Sequence, residues 1–140
     1  MTIKEIQEEI IEEFSMFDDW EERYQYMIDL GKTLPLIDEQ YKTESNIIKG
    51  CQSKVWVHAE MNDDKVVFTA DSEAIITKGI IAILIRVFSD QHPKDIIDAD
   101  TSFIDEIGLK EHLSPTRANG LVSMIKQLKM YAIAYQTQLN

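Results

Sequence analysis

The run Gly79-Ile-Ile-Ala-Ile-Leu-Ile-Arg-Val-Phe88 is the longest apolar stretch of the chain, and it sets what the rest must do. It is about ten residues long and is bounded or interrupted by Lys78, Arg86 and Asp90, well short of the roughly 20 that a bilayer span needs. It reads as a helix apolar on most faces, and such a helix requires cover on several sides. A chain of 140 residues, 44% hydrophobic, can supply that cover as one domain over residues 1–140, burying roughly two-thirds of the surface its unfolded form exposes. It needs no metal or disulfide to fold.

The covering elements follow from local signals. Thr2 with Glu5 three residues on is a capping-box pattern, and Ile3, Ile6, Ile10 and Phe14 recur at helical spacing, predicting a helix over about 3–15. Asp18 or Asp19 caps a second helix whose Trp20, Tyr24, Met27 and Ile28 form an apolar stripe read as core, stopped by Gly31 and Pro35. Residues 35–50 have no period and read as a surface loop. Then Val55, Val57 and Ala59 alternate with Trp56, His58 and Glu60, Asn62-Asp63-Asp64 is turn chemistry, and Val66 to Thr69 is a second β-rich run, which makes a hairpin. Asp71 and Ser72 are placed to cap the apolar helix, over about 73–89, and His92-Pro93 ends that segment. Short helical pieces stop near Gly108, and a last helix opens at Ser114-Pro115 with Leu121, Met124, Ile125, Leu128, Ala132 and Tyr135 on one face. The fold class is α+β: a small antiparallel sheet with helices packed on one face.

Charge and composition narrow the function. A formal net charge of −11 with no compact basic patch opposes binding to nucleic acid or to an anionic membrane. The first fourteen residues carry five glutamates and no apolar leader, which points to the cytoplasm. His58, His92 and His112 are far apart and there is no CxxC pair, so no metal site with the usual spacing is expected. The glycines Gly31, Gly50, Gly79, Gly108 and Gly120 form neither GxGxxG nor a P-loop, and no nucleotide cofactor is expected.

What remains is Cys51, the only cysteine, set in Lys49-Gly50-Cys51-Gln52-Ser53-Lys54 just before the first strand. Gly50 removes side-chain cover on one side of it. No acid lies between Ser45 and Ala59, and Lys49 and Lys54 favour the thiolate if they point at it rather than into solvent. A cysteine–histidine nucleophilic enzyme stays open, with His58 or His112 as the base.

These residues also carry a resemblance. Gly50-Cys51-Gln52-Ser53-Lys54-Val55-Trp56 resembles the active-site signature of the SufE family of sulfur acceptors, and Ser114-Pro115-Thr116-Arg117-Ala118-Asn119-Gly120 resembles that family's second signature. Asp19-Trp20-Glu21-Glu22-Arg23-Tyr24, Leu30-Gly31-Lys32-Thr33-Leu34-Pro35 and Asp71-Ser72 through Lys78-Gly79 fall in the family's order, so the likeness covers nearly the whole chain. Thr116 stands where serine is common, which keeps a hydroxyl. The resemblance implies an IscU-like fold with the cysteine on a loop that turns inward or outward. It implies that Cys51 accepts a persulfide sulfur from a pyridoxal-phosphate cysteine desulfurase of the SufS type, stimulates that enzyme, and passes sulfur on for iron–sulfur cluster assembly by a SufBCD-like scaffold complex. Gly50, Gln52, Ser53 and Arg117 would support the site, with no cofactor of the chain's own and no independent turnover. Two other classes are distinguishable: a cysteine-dependent small-molecule enzyme would turn over without a partner, and a pure interaction module would tolerate loss of Cys51.

Overall fold

The computed structural model describes residues 1–139. Helices α1 (Ile3–Ser15) and α2 (Trp20–Gly31) lead through a long connection to strands β1 (Val55–Asn62) and β2 (Lys65–Ser72). There follow α3 (Ile75–Phe88), the short helices α4 (Pro93–Asp98), α5 (Phe103–Glu106) and α6 (Leu109–His112), and the long α7 (Pro115–Leu139). The two strands pair antiparallel from Val55 opposite Ser72 to Asn62 opposite Lys65, and Asp63 makes the turn at φ 58, a left-handed conformation that aspartate tolerates. The fold is α+β, as the patterning predicts.

Helix starts follow the expected chemistry with one exception. Thr2 Oγ1 accepts from Glu5 N at 3.1 Å while Glu5 accepts from Thr2 N at 2.9 Å, and Asp19 accepts from Glu22 N at 2.8 Å. Ser114 Oγ accepts from Arg117 N at 3.3 Å, ahead of Pro115. The apolar helix departs from expectation: Asp71 and Ser72 finish β2, and Ala74 is the N-cap without a side-chain bond. Ser72 Oγ still accepts from Ala74 N, at 3.3 Å, so the hydroxyl steadies the entry rather than capping it. His92-Pro93 opens α4, with His92 Nδ1 accepting from Lys94 N, and does not close α3.

Helix α3 lies at the centre, in contact with α1, α2, β2 and α7. Ile80, Ile81, Ile83, Leu84, Ile85, Val87 and Phe88 are all buried, each contributing roughly 1.5–3 kcal/mol over exposure. Against them pack Val55, Val57 and Ala59 of β1, Val66, Phe68 and Ala70 of β2, and the α7 face of Leu121, Met124, Leu128 and Ala132. The α2 stripe is less buried than its period suggests: only Met27 and Gly31 are fully inside, with Trp20, Tyr24 and Ile28 at the margin. Arg86, which interrupts the apolar run, reaches α1, where its guanidinium donates to Glu13 at 2.8 Å and to Glu9 at 2.5 Å. Tyr26 of α2 donates to the same Glu13, and burial, then that hydrogen bond, push its hydroxyl up to about 12.

The connection over 35–50 is not the plain surface loop its composition suggests. Ile37 N donates to Ala70 O and Ala70 N to Pro35 O, both at 3.1 Å, closing the outer edge of β2, where Val66 also pairs with Gln91. At the other edge Ile47 bridges Trp56 and Ile48 N donates to Val55 O at 2.8 Å. Both exposed edges of the hairpin are thereby blunted. Tyr41 stacks on His58 at 3.6 Å between centroids, and Lys42 lies over the Trp56 ring while pairing with Asp71 at 2.8 Å, so the same segment covers the sheet face away from the helices.

Where α2 crosses α3 the backbones touch. A Cβ at Gly79 would overlap the Met27 carbonyl oxygen, and one at Gly31 would lie 3.1 Å from Gly79 N. Helix propensity alone favours alanine over glycine by about 1 kcal/mol, but overpacking against backbone costs about 1–3 kcal/mol and must win here. Gly79→Ala is therefore expected to lower the urea midpoint without changing its slope; a raised midpoint would show that the two helices can slide apart freely.

Candidate functional site

Cys51 lies in the loop of a second, irregular hairpin. Ile48, 2% exposed and hydrogen-bonded to Val55 O, closes one end, and the fully buried Val55 closes the other. Between these anchors residues 49–54 are the free span, further held at Lys54 O by Ser72 Oγ (2.9 Å) and Glu73 N (3.3 Å). Gly50 has φ 94, which side chains on L residues rarely adopt, and a Cβ there would overlap Ser123 Oγ on α7. The loop thus turns sharply against α7 and directs Cys51 inward.

The thiol is half-buried and donates to Gly120 O at 3.6 Å. Gly120 is the residue whose role sequence reasoning missed. A Cβ on it would sit 3.4 Å from Sγ, so a glycine keeps that side of the sulfur open, and the signal available was a glycine inside an otherwise strong helix. Beside the sulfur is a cavity of about 30 Å³ lined by Cys51, Gln52, Ser53, Thr77, Arg117 and Met124 among others. A void of roughly 10–15 Å³ on this measure already accepts a water-sized group. The two signatures, remote in sequence, meet around one sulfur atom.

Arg117 is thus on the cavity wall with Cys51, and its guanidinium has no ion pair or hydrogen bond among the described residues. Gln52 and Ser53 line the same cavity, but among the described residues neither hydrogen-bonds the sulfur; the main-chain oxygen of Gly120 does. Lys49 and Lys54 are exposed, the solvated arrangement of the two left open by the sequence, and burial pushes the Cys51 thiol up. The histidines are elsewhere. His58 is stacked on Tyr41 and His112 on Trp20, and no histidine lines the cysteine cavity. Among the described residues no group of three or more histidine, cysteine or carboxylate side chains could hold a metal, and no helix is long and apolar enough to cross a membrane.

The sequence model of the SufE family, an Fe–S metabolism associated domain, matches residues 8–132. The chain belongs to the SufE family. It is 42% identical over 130 residues to an uncharacterised SufE-like protein of Rhizobium meliloti, covering 89% of this chain and 93% of that one. A second SufE-like protein, of Rhizobium etli, is 39% identical over 127 residues, covering 87% and 86% of the two chains. In three dimensions the chain resembles the solution structure of a hypothetical protein from Thermus thermophilus, with a TM-score of 0.79 over 94% of this chain and 96% of that one at 21% identity, a likeness of fold alone.

A thiol that burial holds protonated should alkylate slowly at neutral pH. Its folded pKa is raised, so the thiolate fraction, and with it the rate with iodoacetamide, should climb only above the range where an ordinary cysteine reacts. The same measurement in urea should show the ordinary thiol profile. Equal profiles in the two conditions would mean that the native loop leaves Cys51 open.

Proposed function

We propose that this SufE-family chain is a sulfur carrier in Fe–S metabolism, accepting persulfide sulfur on Cys51 from a cysteine desulfurase. The observation that carries this reading is the placement of Cys51: the only thiol, on a short tethered loop, facing a cavity of about 30 Å³ with room for one more atom. The step is sulfur exchange at sulfur. Cys51 first loses its proton; its thiolate attacks the outer sulfur of the donor's persulfide, a new S–S bond forms on Cys51, and the donor's S–S bond breaks, leaving the donor cysteine as thiolate. The transferred atom keeps its oxidation state, so no redox cofactor is needed.

The cavity then has a use. An outer persulfide sulfur directed toward Thr77 and Met124 would be shielded from water and oxidants, and one lone cysteine leaves no second thiol in the chain to discharge it. Gly50 sets the loop's turn and Arg117 offers a positive charge near the departing or arriving sulfur. Transfer onward to a scaffold complex requires the same loop to open. A cysteine–histidine enzyme is the poorer reading because no histidine lines the cavity around Cys51.

Incubation with a SufS-type desulfurase, pyridoxal phosphate and cysteine should add the mass of one sulfur atom to the Cys51 peptide. Cys51→Ser should abolish that gain and the stimulation of the desulfurase while keeping the circular dichroism and melting of the wild type. A variant that still takes sulfur, or that unfolds, makes Cys51 structural.

The anchors also set where motion would occur. With Ile48 buried and bonded, fast opening should be confined to residues 49–54. Amide exchange there should exceed that of α3 and should change when the desulfurase is added. Slow exchange that the partner leaves unaltered would mean a fixed cysteine and would rule out a shelter-and-deliver cycle.

A further inference from the structure

Beside the cysteine loop the surface has a charge opposite to that of the chain as a whole. A groove of about 420 Å³ separates the segment Ser45–Lys49 from α7, and its lining includes Lys49, Ser123, Lys126, Met130 and Tyr131 but no carboxylate. The chain carries 25 acidic and 14 basic residues, so an acid-free groove with two lysines stands against composition. Among the described residues neither lysine side chain has an ion pair or a hydrogen bond. Both are free to meet an incoming anion.

The adjoining face of α7 is apolar and uncovered. Val122, Met130 and Ile133 are 50%, 51% and 52% exposed, and with Lys126 they follow at intervals of four, four and three residues, one stripe along the helix. Large aliphatic side chains left this exposed, in register with a basic groove, mark a surface that a partner covers. The groove reaches the cysteine loop: Ser123, which lines it, packs against Gly50, the residue before Cys51. A partner seated on it would have its own reactive sulfur within reach of the loop.

We propose that this groove and stripe are the docking site for the persulfide donor, and that the segment it receives is amphipathic, with aliphatic side chains set against Val122, Met130 and Ile133 and a carboxylate between Lys49 and Lys126. The inference rests on the carrier reading and names the partner's recognition chemistry. Charge complementarity selects the occupant: an acidic chain of net −11 repels a second copy of itself, while the local lysines attract a carboxylate on another protein. Contacts of this kind set encounter rate and orientation, and the apolar stripe holds the complex once formed.

The test uses the full chain and a SufS-type desulfurase, with binding followed by calorimetric titration and sulfur acceptance by mass on the Cys51 peptide. Lys126→Glu and Met130→Asp should each weaken binding about tenfold or more, and slow acceptance at limiting enzyme in proportion, while iodoacetamide still labels Cys51 at the wild-type rate. Lys4→Glu, on α1, changes charge equally and should leave binding unaltered. If both α7 variants bind and accept sulfur as the wild type does, the docking site is elsewhere and the inference falls, with the carrier reading intact. If the wild type gains no sulfur at all, the carrier reading falls instead. A wild-type dimer in sedimentation that Met130→Asp dissociates would overturn the inference in favour of a second copy.

Discussion

The fold depends on the burial of α3. Seven large apolar side chains leave water along this one helix, and an element with so little polar surface is stable only if neighbours enclose it on all sides. The glycine pair Gly31 and Gly79 lets α2 approach to backbone contact, β2 and α7 close two further sides, and α1 is secured by the Arg86 ion pairs with Glu9 and Glu13. The site inherits its rigidity from this arrangement. Thr77 and Ile80, in the first turns of α3, and Met124 of α7 form the inner wall of the cysteine cavity, so the cavity is bounded by the enclosed helix itself. The opposite wall is the loop, which carries the Cys51 sulfur.

Much of this was legible because it rests on local signals. Capping residues at Thr2, Asp19 and Ser114, the two-residue period of Val55, Val57 and Ala59, and the helical period of α7 all act within a few residues of where they are read. The connection over 35–50 was not legible. Its order comes from main-chain bonds of Ile37 to Ala70 and Ile48 to Val55, and main-chain donors and acceptors are the same at every position. The role of Gly120 was hidden for a related reason, since absence of a side chain has meaning only once the atom opposite, Cys51 Sγ, is known. Lys49 and Lys54 show the converse: nearness in sequence said nothing of direction, and both are exposed while the thiol is half-buried.

The raised pKa of Cys51 constrains how a carrier built this way would operate. In its inward position the half-buried thiol faces a main-chain carbonyl, and the loss of water around it disfavours the anion needed for attack. On the carrier reading, protection and reactivity are then two positions of one loop rather than two properties of one environment. In such a carrier the closed form would guard the sulfur against adventitious oxidation, and the open form would let the thiol ionise beside solvent and the two lysines. A partner that binds only the open loop would favour it in proportion to its own affinity, so activation and recognition become the same event.

Charge organises that recognition at two ranges. Beyond a Debye length of about 8 Å salt screens most of the field, and what is left follows the net charge of −11, which opposes approach to other polyanions. Within contact distance the local pattern takes over, and the acid-free strip of Lys49 and Lys126 reverses the sign next to the sulfur. On the proposed docking a partner would tolerate an acidic body while presenting a carboxylate to one groove, a pair of demands that few surfaces meet together. Selectivity of this kind requires no large interface, which on the carrier reading suits a protein that would release its donor after each transfer and turn the same cysteine toward an acceptor.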